Sequence, residues 1–435
     1  MAQVQTFATG SLADRDFGPV ARKVLYWIPS VILAYSILVS PLFTKLFSGG
    51  PAADLNEAAA QSNPWNQLFW ITLLFAAIAA SWKKLLNLKW LVSDPVIVLI
   101  FCYLAFAAIS VTWSPVPGIA FRRFALQVIV VLALSIPVIL TSDRAALLGR
   151  VNAVMAVTVA LNFVVVLTTP PGPIGHEGIY EQKNTLGAAM AFCWLFLLYA
   201  AAIGRGGRRW LFLFLAVAAL FCLVKSESKT SLGLAILLPV LTWGAIVVTR
   251  PLAMNTALLV LAALVLALVG WFYVSALTGF DFADLSMILF NDTTFTGRTV
   301  IWQFVVDVIS RSPVIGQGYA SFWGIGAGSI VEREAPGFVA GLLQAHNGYL
   351  DTLIETGAIG LSILLAIIVA ALFSAARFVR ERPALSWLSM TLVLTVVSHN
   401  MLESSWFRGY SLIWMLFVFA AVLPRAGQGE RLTKR

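Results

Sequence analysis

The 435-residue chain reads as an all-α polytopic membrane protein, about twelve transmembrane helices with one large loop on the outer face, and three observations predict this. Hydrophobic residues make up 60% and charged residues 11% of the sequence, with a mean hydropathy of +0.89, far from the make-up of a soluble domain. The apolar residues are gathered in runs close to the ~20 residues that a helix needs to cross a bilayer. Lys and Arg collect in the short gaps between alternate runs, where they set orientation.

The runs fall at 24–46, 65–82, 90–112, 121–140, 151–169, 185–203, 210–224, 232–248, 252–275, 347–376, 385–401 and 409–424. They divide the chain into a cytoplasmic tail (1–23), nine helices (24–275), a large outer loop (276–346), three helices (347–424) and a second cytoplasmic tail (425–435). With the N-terminus inside, 19 of the 29 Lys and Arg residues fall on the cytoplasmic side, so the expected topology is N-in and C-in. Acidic residues divide the other way, 14 of 20 outside, although they carry little topological weight. Every cytoplasmic loop is short, so function is expected at the outer loop. Within it, Ile301, Trp302, Val305, Val306 and Ile309 form an apolar helical stripe suited to a membrane surface, which Pro313, Gly316 and Gly318 end.

The net charge of +9 calls for no nucleic-acid partner, because the basic residues sit between apolar runs. Cys102, Cys193 and Cys222 all lie inside such runs and form no CxxC, which supports neither disulfides nor thiolate metal sites. The polar leader ends in Arg22 and Lys23 before a long apolar run without a small-residue cleavage site, the pattern of an uncleaved first span.

The stretch from Ala345 to Gly360 runs from the outer loop into a spanning helix. At helical spacing His346, Tyr349, Leu350, Leu353, Gly357 and Gly360 share a face, and the two glycines let another helix approach closely. A neutral imidazole at the membrane mouth can take a proton from a sugar hydroxyl, which makes His346 a candidate general base; the bland reading is a capping or interfacial histidine. Asp351 and Glu355, one turn apart on another face, could bind a cation, orient a sugar or hold His346 through a neighbour. Carboxylates this close to a bilayer are costly unless they face a polar cavity.

Arg122, Arg123, Lys183, Lys225, Lys229 and Arg298 oppose the positive-inside bias. A lipid diphosphate would account for them, since arginine holds phosphate oxygens bidentately and cations stabilise a departing pyrophosphate. Contact with phospholipid headgroups or snorkelling is the competing reading. Arg311 and Arg333 read as ordinary loop charges. Arg122, Arg123, Lys183, Lys229, Asn347, Tyr349 and Glu355 form the expected substrate-binding set, with His346 and Arg298 catalytic. His176, His346 and His399 fall on the outer side, but without HxH or HExxH spacing they predict no metal site, and no Gly-rich phosphate loop or GxSxG elbow is present.

These residues resemble the O-antigen ligase and Wzy-type polymerase superfamily, and most of all its ExoQ-type exopolysaccharide polymerases. Gly297-Arg298 with Trp302, Pro313, Gly316 and Gly318 is similar to the family's outer-loop helix. His346-Asn347, nine residues, then Gly357-x-x-Gly360 matches its HN-x9-GxxG signature, and Trp113-Ser114-Pro115 with Arg122 looks like an upstream element. The resemblance implies a GT-C-like fold in the bacterial inner membrane. It further implies inverting transfer of a glycan, without metal or other cofactor, from undecaprenyl diphosphate to a sugar hydroxyl. His346 would activate the acceptor, while Arg298 and an upstream cation would grip the pyrophosphate; Lys183 and Lys229 both stand where that cation, often arginine, is expected. The implied partners are the lipid-linked glycan, membrane lipids and, for a polymerase, a chain-length regulator. A ligase transferring glycan to lipid A-core is the alternative within the family. A flippase is the alternative outside it, disfavoured because transporters place polar residues near the midplane and here they gather at the outer mouth.

Overall fold

The computed structural model describes residues 18–47, 64–85, 94–141, 143–290, 297–409 and 411–426. Both expected tails beyond these limits, and residues 90–93 of the third apolar run, lie outside the described residues. The described residues are nearly all helical. The first helix, α1 (Pro19–Ala34), continues through a π-turn at Tyr35–Val39 into α2 (Ser40–Phe47). There follow α3 (Pro64–Leu85), α4 (Pro95–Ser110), α5 (Pro117–Leu140), α6 (Arg144–Thr168), α7 (Lys183–Ile203), α8 (Gly207–Lys225), α9 (Lys229–Thr249) and α10 (Thr256–Thr278). The long connection holds α11 (Phe282–Phe290), α12 (Arg298–Ile309) and α13 (Ile330–Glu334), and α14 (Gly348–Ala376), α15 (Pro383–His399) and α16 (Leu412–Val422) complete the bundle.

Among the described residues ten helices are long and apolar enough to cross a membrane, and α15 and the 412–425 segment are shorter apolar helices. The chain is a multi-pass membrane protein, as its composition predicts. Successive helices alternate in direction, so the long connection and the N-terminus of α14 define one face, the site face. The opposite face is the far face.

Short polar residues start the helices where the sequence leaves the apolar runs. Asp94 accepts from the backbone N–H groups of Val96 (3.0 Å) and Ile97 (3.3 Å) ahead of Pro95, which needs no donor at the first helical position. Asp143 caps α6 and Asn255 caps α10 in the same way. The centre of the bundle is α7, 78% buried over its apolar window, whereas α10 is only 11% buried. Alanines and Gly187 let α7 take neighbours on all sides.

On the far face the other carboxylate oxygen of Asp94 pairs with Arg425, whose Nη1 also donates to Ser374 Oγ (2.5 Å) and Ala421 O (2.7 Å). This pair joins the ends of α4, α14 and α16, and both side chains are largely buried. Removing one partner strands a buried charge, so Asp94→Ala is expected to cost about 3 kcal/mol or more, read as a lower Tm in detergent. Arg311→Ala, which breaks an exposed pair with Glu334, is expected to leave Tm unchanged.

Candidate active site

Three segments meet on the site face: the start of α12, the residues leading into α14, and the turn between α15 and α16. The turn is built by Asn400, fully buried. Its Oδ1 accepts from the N–H of Ser405 (2.8 Å) and Trp406 (3.2 Å), and its Nδ2 donates to Val396 O (2.8 Å) and Ser405 Oγ (2.7 Å). Gly348 N–H donates to Asn400 O (2.8 Å) and Glu403 O (3.0 Å), which seats α14 against the turn. A side chain at Gly348 would collide with Asn400 Oδ1 and come within 2.7 Å of Trp406, a physical reason for glycine after His346-Asn347.

The turn presents Glu403. Its Oε2 lies 2.9 Å from His346 Nδ1 and its Oε1 lies 3.0 Å from Arg298 Nη2. A carboxylate only accepts, so Nδ1 carries the imidazole proton and Nε2 is left as the basic nitrogen. Gln344 Nε2 donates to Glu403 Oε2 (3.3 Å), and its 3.2 Å approach to Nδ1 is then a contact between two donors. Burial by itself would raise the Glu403 carboxyl, but the His346 hydrogen bond and the neighbouring His346, His399 and Arg298 hold it below its ordinary value.

His346 has a φ of +50°, a left-handed conformation uncommon for a residue with a side chain. Its neighbours impose it. Trp302 Nε1 donates to Ala345 O (3.0 Å), Ala345 N–H donates to Asp351 Oδ1 (3.1 Å), and Asn347 N–H donates to Ser404 Oγ (3.1 Å). Asn347 is the N-cap of α14, its Oδ1 accepting from Tyr349 and Leu350 N–H, and Tyr349 OH donates to Val397 O (2.8 Å). Asp351 also accepts from Trp323 Nε1 (2.8 Å) and Arg408 Nη2 (2.8 Å). It therefore holds His346 through Ala345, one of the roles the sequence suggests for it.

Arg123 lies in the second turn of α5, with its guanidinium donating to the carbonyls of Ala320 (2.8 Å), Trp323 (2.9 Å) and Gly324 (2.5 Å). The fork is committed to shaping that loop, which in turn gives Trp323 to Asp351 and the Ala320 N–H to Glu355 (3.0 Å). Arg122 is exposed one residue earlier. Lys183 and Lys229 open the adjacent helices α7 and α9 on the site face, and Lys183 Nζ donates to Ile174 O (2.8 Å). Among the described residues no three His, Cys, Asp or Glu side chains converge as metal ligands.

The glycines of the signature also acquire a physical role. Helix α14 is broken at Gly357 (φ 63°, ψ −166°), and the segment 313–318 inserts into the break. Gln317 and Gly318 N–H donate to Ile354 O (2.8 Å) and Glu355 O (2.9 Å), while Ala358 and Ile359 N–H donate to Pro313 O (2.9 Å) and Val314 O (3.2 Å). Backbone groups freed within an apolar layer must find partners, and here the loop supplies all four.

Comparison with known proteins bears on the resemblance stated from the motifs. Residues 214–365 match the O-antigen ligase family model. The match spans α8 to α14 and includes Arg298, His346, Gly357 and Gly360, so the resemblance carried by those motifs is borne out. The chain is also 29% identical over 297 residues to the exopolysaccharide production protein ExoQ of Rhizobium meliloti (strain 1021), covering 63% of this chain and 64% of that one. The O-antigen ligase match ends before Glu403 and Arg408, the two site residues that sequence reasoning did not select.

Glu403→Gln keeps the shape but removes the charge that orients His346 and would balance a protonated imidazole. Transfer is expected to fall by about 10²-fold or more, as when an orienting carboxylate loses its charge, measured as initial rate at matched protein level. Because the folded carboxyl sits below its ordinary value near 4.5, its stabilising contribution is full above that pH. It is lost as pH falls through the lower folded value. Thermal unfolding of wild type against Glu403→Gln should converge in that acid range.

Proposed function

We propose that the chain is a membrane glycosyltransferase that polymerises undecaprenyl-diphosphate-linked repeat units into exopolysaccharide. The observation that carries this is the single carboxylate of Glu403 shared by His346 Nδ1 and Arg298 Nη2, which leaves Nε2 as the basic nitrogen and ties a cation to the same carboxylate. The acceptor hydroxyl oxygen attacks the anomeric carbon from the side opposite the diphosphate. Its proton passes to His346 Nε2, the anomeric C–O bond breaks, and the electron pair leaves on the diphosphate. One displacement inverts the anomeric centre. Arg298 stabilises the charge growing on the departing oxygen, and Glu403 balances the imidazolium. Lys183 or Lys229 supplies the second cation, and no metal or cofactor is needed when such charges surround the leaving group.

The site face is read as periplasmic, with the protein in the bacterial inner membrane, N-in and C-in, on the 19 to 10 division of its basic residues. The ExoQ relative's name favours exopolysaccharide; the O-antigen ligase description favours the alternative, transfer to lipid A-core. The broken α14 is a feature that transporters also use, but here a loop of the same chain fills the break.

In cells carrying Arg298→Ala at normal membrane level, loss of polymer with single lipid-linked repeats accumulating on the periplasmic leaflet is the expected result. Unchanged polymer would sink the reading, repeats trapped on the cytoplasmic leaflet would point to a flippase, and loss of glycan from lipid A-core alone would favour the ligase.

A further inference from the structure

The chemistry proposed above uses only the histidine of the HN-x9-GxxG signature; the glycine half, at the break in α14, and Glu355 beside it have no part in it. Residues 313–324 run from that break to the base as one strap. The strap is anchored where Gln317 and Gly318 N–H donate to Ile354 O (2.8 Å) and Glu355 O (2.9 Å). Next comes Ala320, at a φ of +49°, a left-handed conformation that a residue with a side chain rarely adopts. Two charged groups clamp it. Glu355 Oε2 accepts from its N–H (3.0 Å) and Arg123 Nη1 donates to its carbonyl (2.8 Å). The turn so made delivers Trp323, only 3% exposed, whose Nε1 donates to Asp351 Oδ1 (2.8 Å). The same oxygen accepts from Ala345 N–H (3.1 Å), one residue before His346.

Two strained residues, Ala320 and His346, are thus tied to a single carboxylate oxygen. Strained backbone persists only where its surroundings over-determine it, and it gathers at functional sites. The strap is fixed along its flank as well: Tyr319 N–H donates to Ser110 Oγ (2.9 Å), and Ser321 Oγ lies 2.8 Å from Ser114 Oγ. The Asp351 carboxylate cannot follow a shifted Ala345, because its other oxygen is held by Arg408 Nη2 (2.8 Å). Each link is a directed hydrogen bond, so a change at Ala320 or Trp323 is passed to the backbone that aims the imidazole.

We propose that the strap is a positioning element for the base: Glu355 and Trp323 act on the reaction through Asp351 and the backbone at His346, and the glycine half of the signature anchors them. The inference rests on the function proposed above. It joins the two halves of the signature in one device, and it gives Glu355 the task of an acceptor for Ala320 in place of a sugar contact. A carboxylate in a membrane helix needs a polar partner, and the strap supplies one. The stake is rate, since a base displaced by about 1 Å can lose 10²-fold.

The test is a double-mutant cycle of Trp323→Phe against His346→Ala in the full-length protein, read as initial rates on lipid-linked repeat units at matched folded level. Phenylalanine keeps an aromatic ring in place and takes the N–H from Asp351. Alone, Trp323→Phe is expected to lower kcat about tenfold or more with KM held within about twofold. In the His346→Ala background it should change nothing further, because the group that it positions is gone. Wild-type kcat in Trp323→Phe, or the same loss in both backgrounds, would overturn the strap and leave the base standing. Glu355→Ala should likewise lower kcat, and Glu355→Gln, which keeps an oxygen for the Ala320 N–H, should recover most of that loss. A raised KM at wild-type kcat in Glu355→Gln would place Glu355 on the substrate and overturn its part in the strap. Full activity in His346→Ala is the distinct outcome that removes the function proposed above, and the strap's role with it.

Discussion

His346→Ala is expected to lower the rate of glycan transfer by about 10²–10⁴-fold, the usual contribution of a positioned general base, with unchanged protein level and retained donor binding. The base is lost while Arg298 stays paired to Glu403 at 3.0 Å, so the defect belongs in the rate of the chemical step rather than in KM. The imidazole is partly exposed, 27% at its side chain, and its removal opens no core cavity, which is why Tm is expected to hold. A His346→Ala protein that turns over at the wild-type rate would place the base elsewhere. One that fails to fold would mean that the strained backbone at this position, rather than the ring, is what the structure needs.

Gly357→Ala is expected to act through the fold, with about 3 kcal/mol or more lost and little protein reaching the membrane in folded form. The backbone of Gly357, φ 63° and ψ −166°, lies in a region that only glycine occupies readily. A Cβ there would also collide with the Val314 carbonyl and come within 2.5 Å of Ile315 N. The inserted segment would have to withdraw, and the four hydrogen bonds between it and α14 would be lost in an apolar layer. Gly316 faces the same junction from the other side, where a Cβ would meet Glu355 C at 2.5 Å. A Gly357→Ala protein with wild-type Tm would show that the break is not required. Gly341→Ala, at a site with open space, is the matched control.

The order of spans was legible in the sequence because each apolar run is long and bounded by polar or charged residues, and among the described residues each of the twelve runs falls on a helix. The break in α14 was not: periodicity placed Gly357 and Gly360 on a packing face, and a helical pattern carries no sign that a distant loop inserts. His346 and Arg298 were legible from their motifs, and the structure brings them to one carboxylate. Glu403 was missed because it is a single acidic residue in a short connection, 57 positions from His346, with no spacing to mark it. The signal available was a Glu and an Arg, 403 and 408, held on the outer side between two apolar runs. Asn347, Tyr349 and Arg123 were read for substrate, and the fold engages Asn347 Oδ1 as a helix cap, Tyr349 OH on a carbonyl of α15 and the Arg123 guanidinium on three loop carbonyls. Position along the chain can bring a side chain to the membrane mouth, but only the folded backbone decides which hydrogen-bonding groups are already taken.

The most direct test of the central claim is elongation by the purified wild-type protein in detergent, supplied only with undecaprenyl-diphosphate-linked repeat units, a chelator of divalent metals and no nucleotide or ion gradient. The account predicts lengthening glycan on the lipid with one undecaprenyl diphosphate released per repeat added. Repeats returned unchanged by folded protein, with elongation restored by a metal, a nucleotide or an energised vesicle, would contradict it.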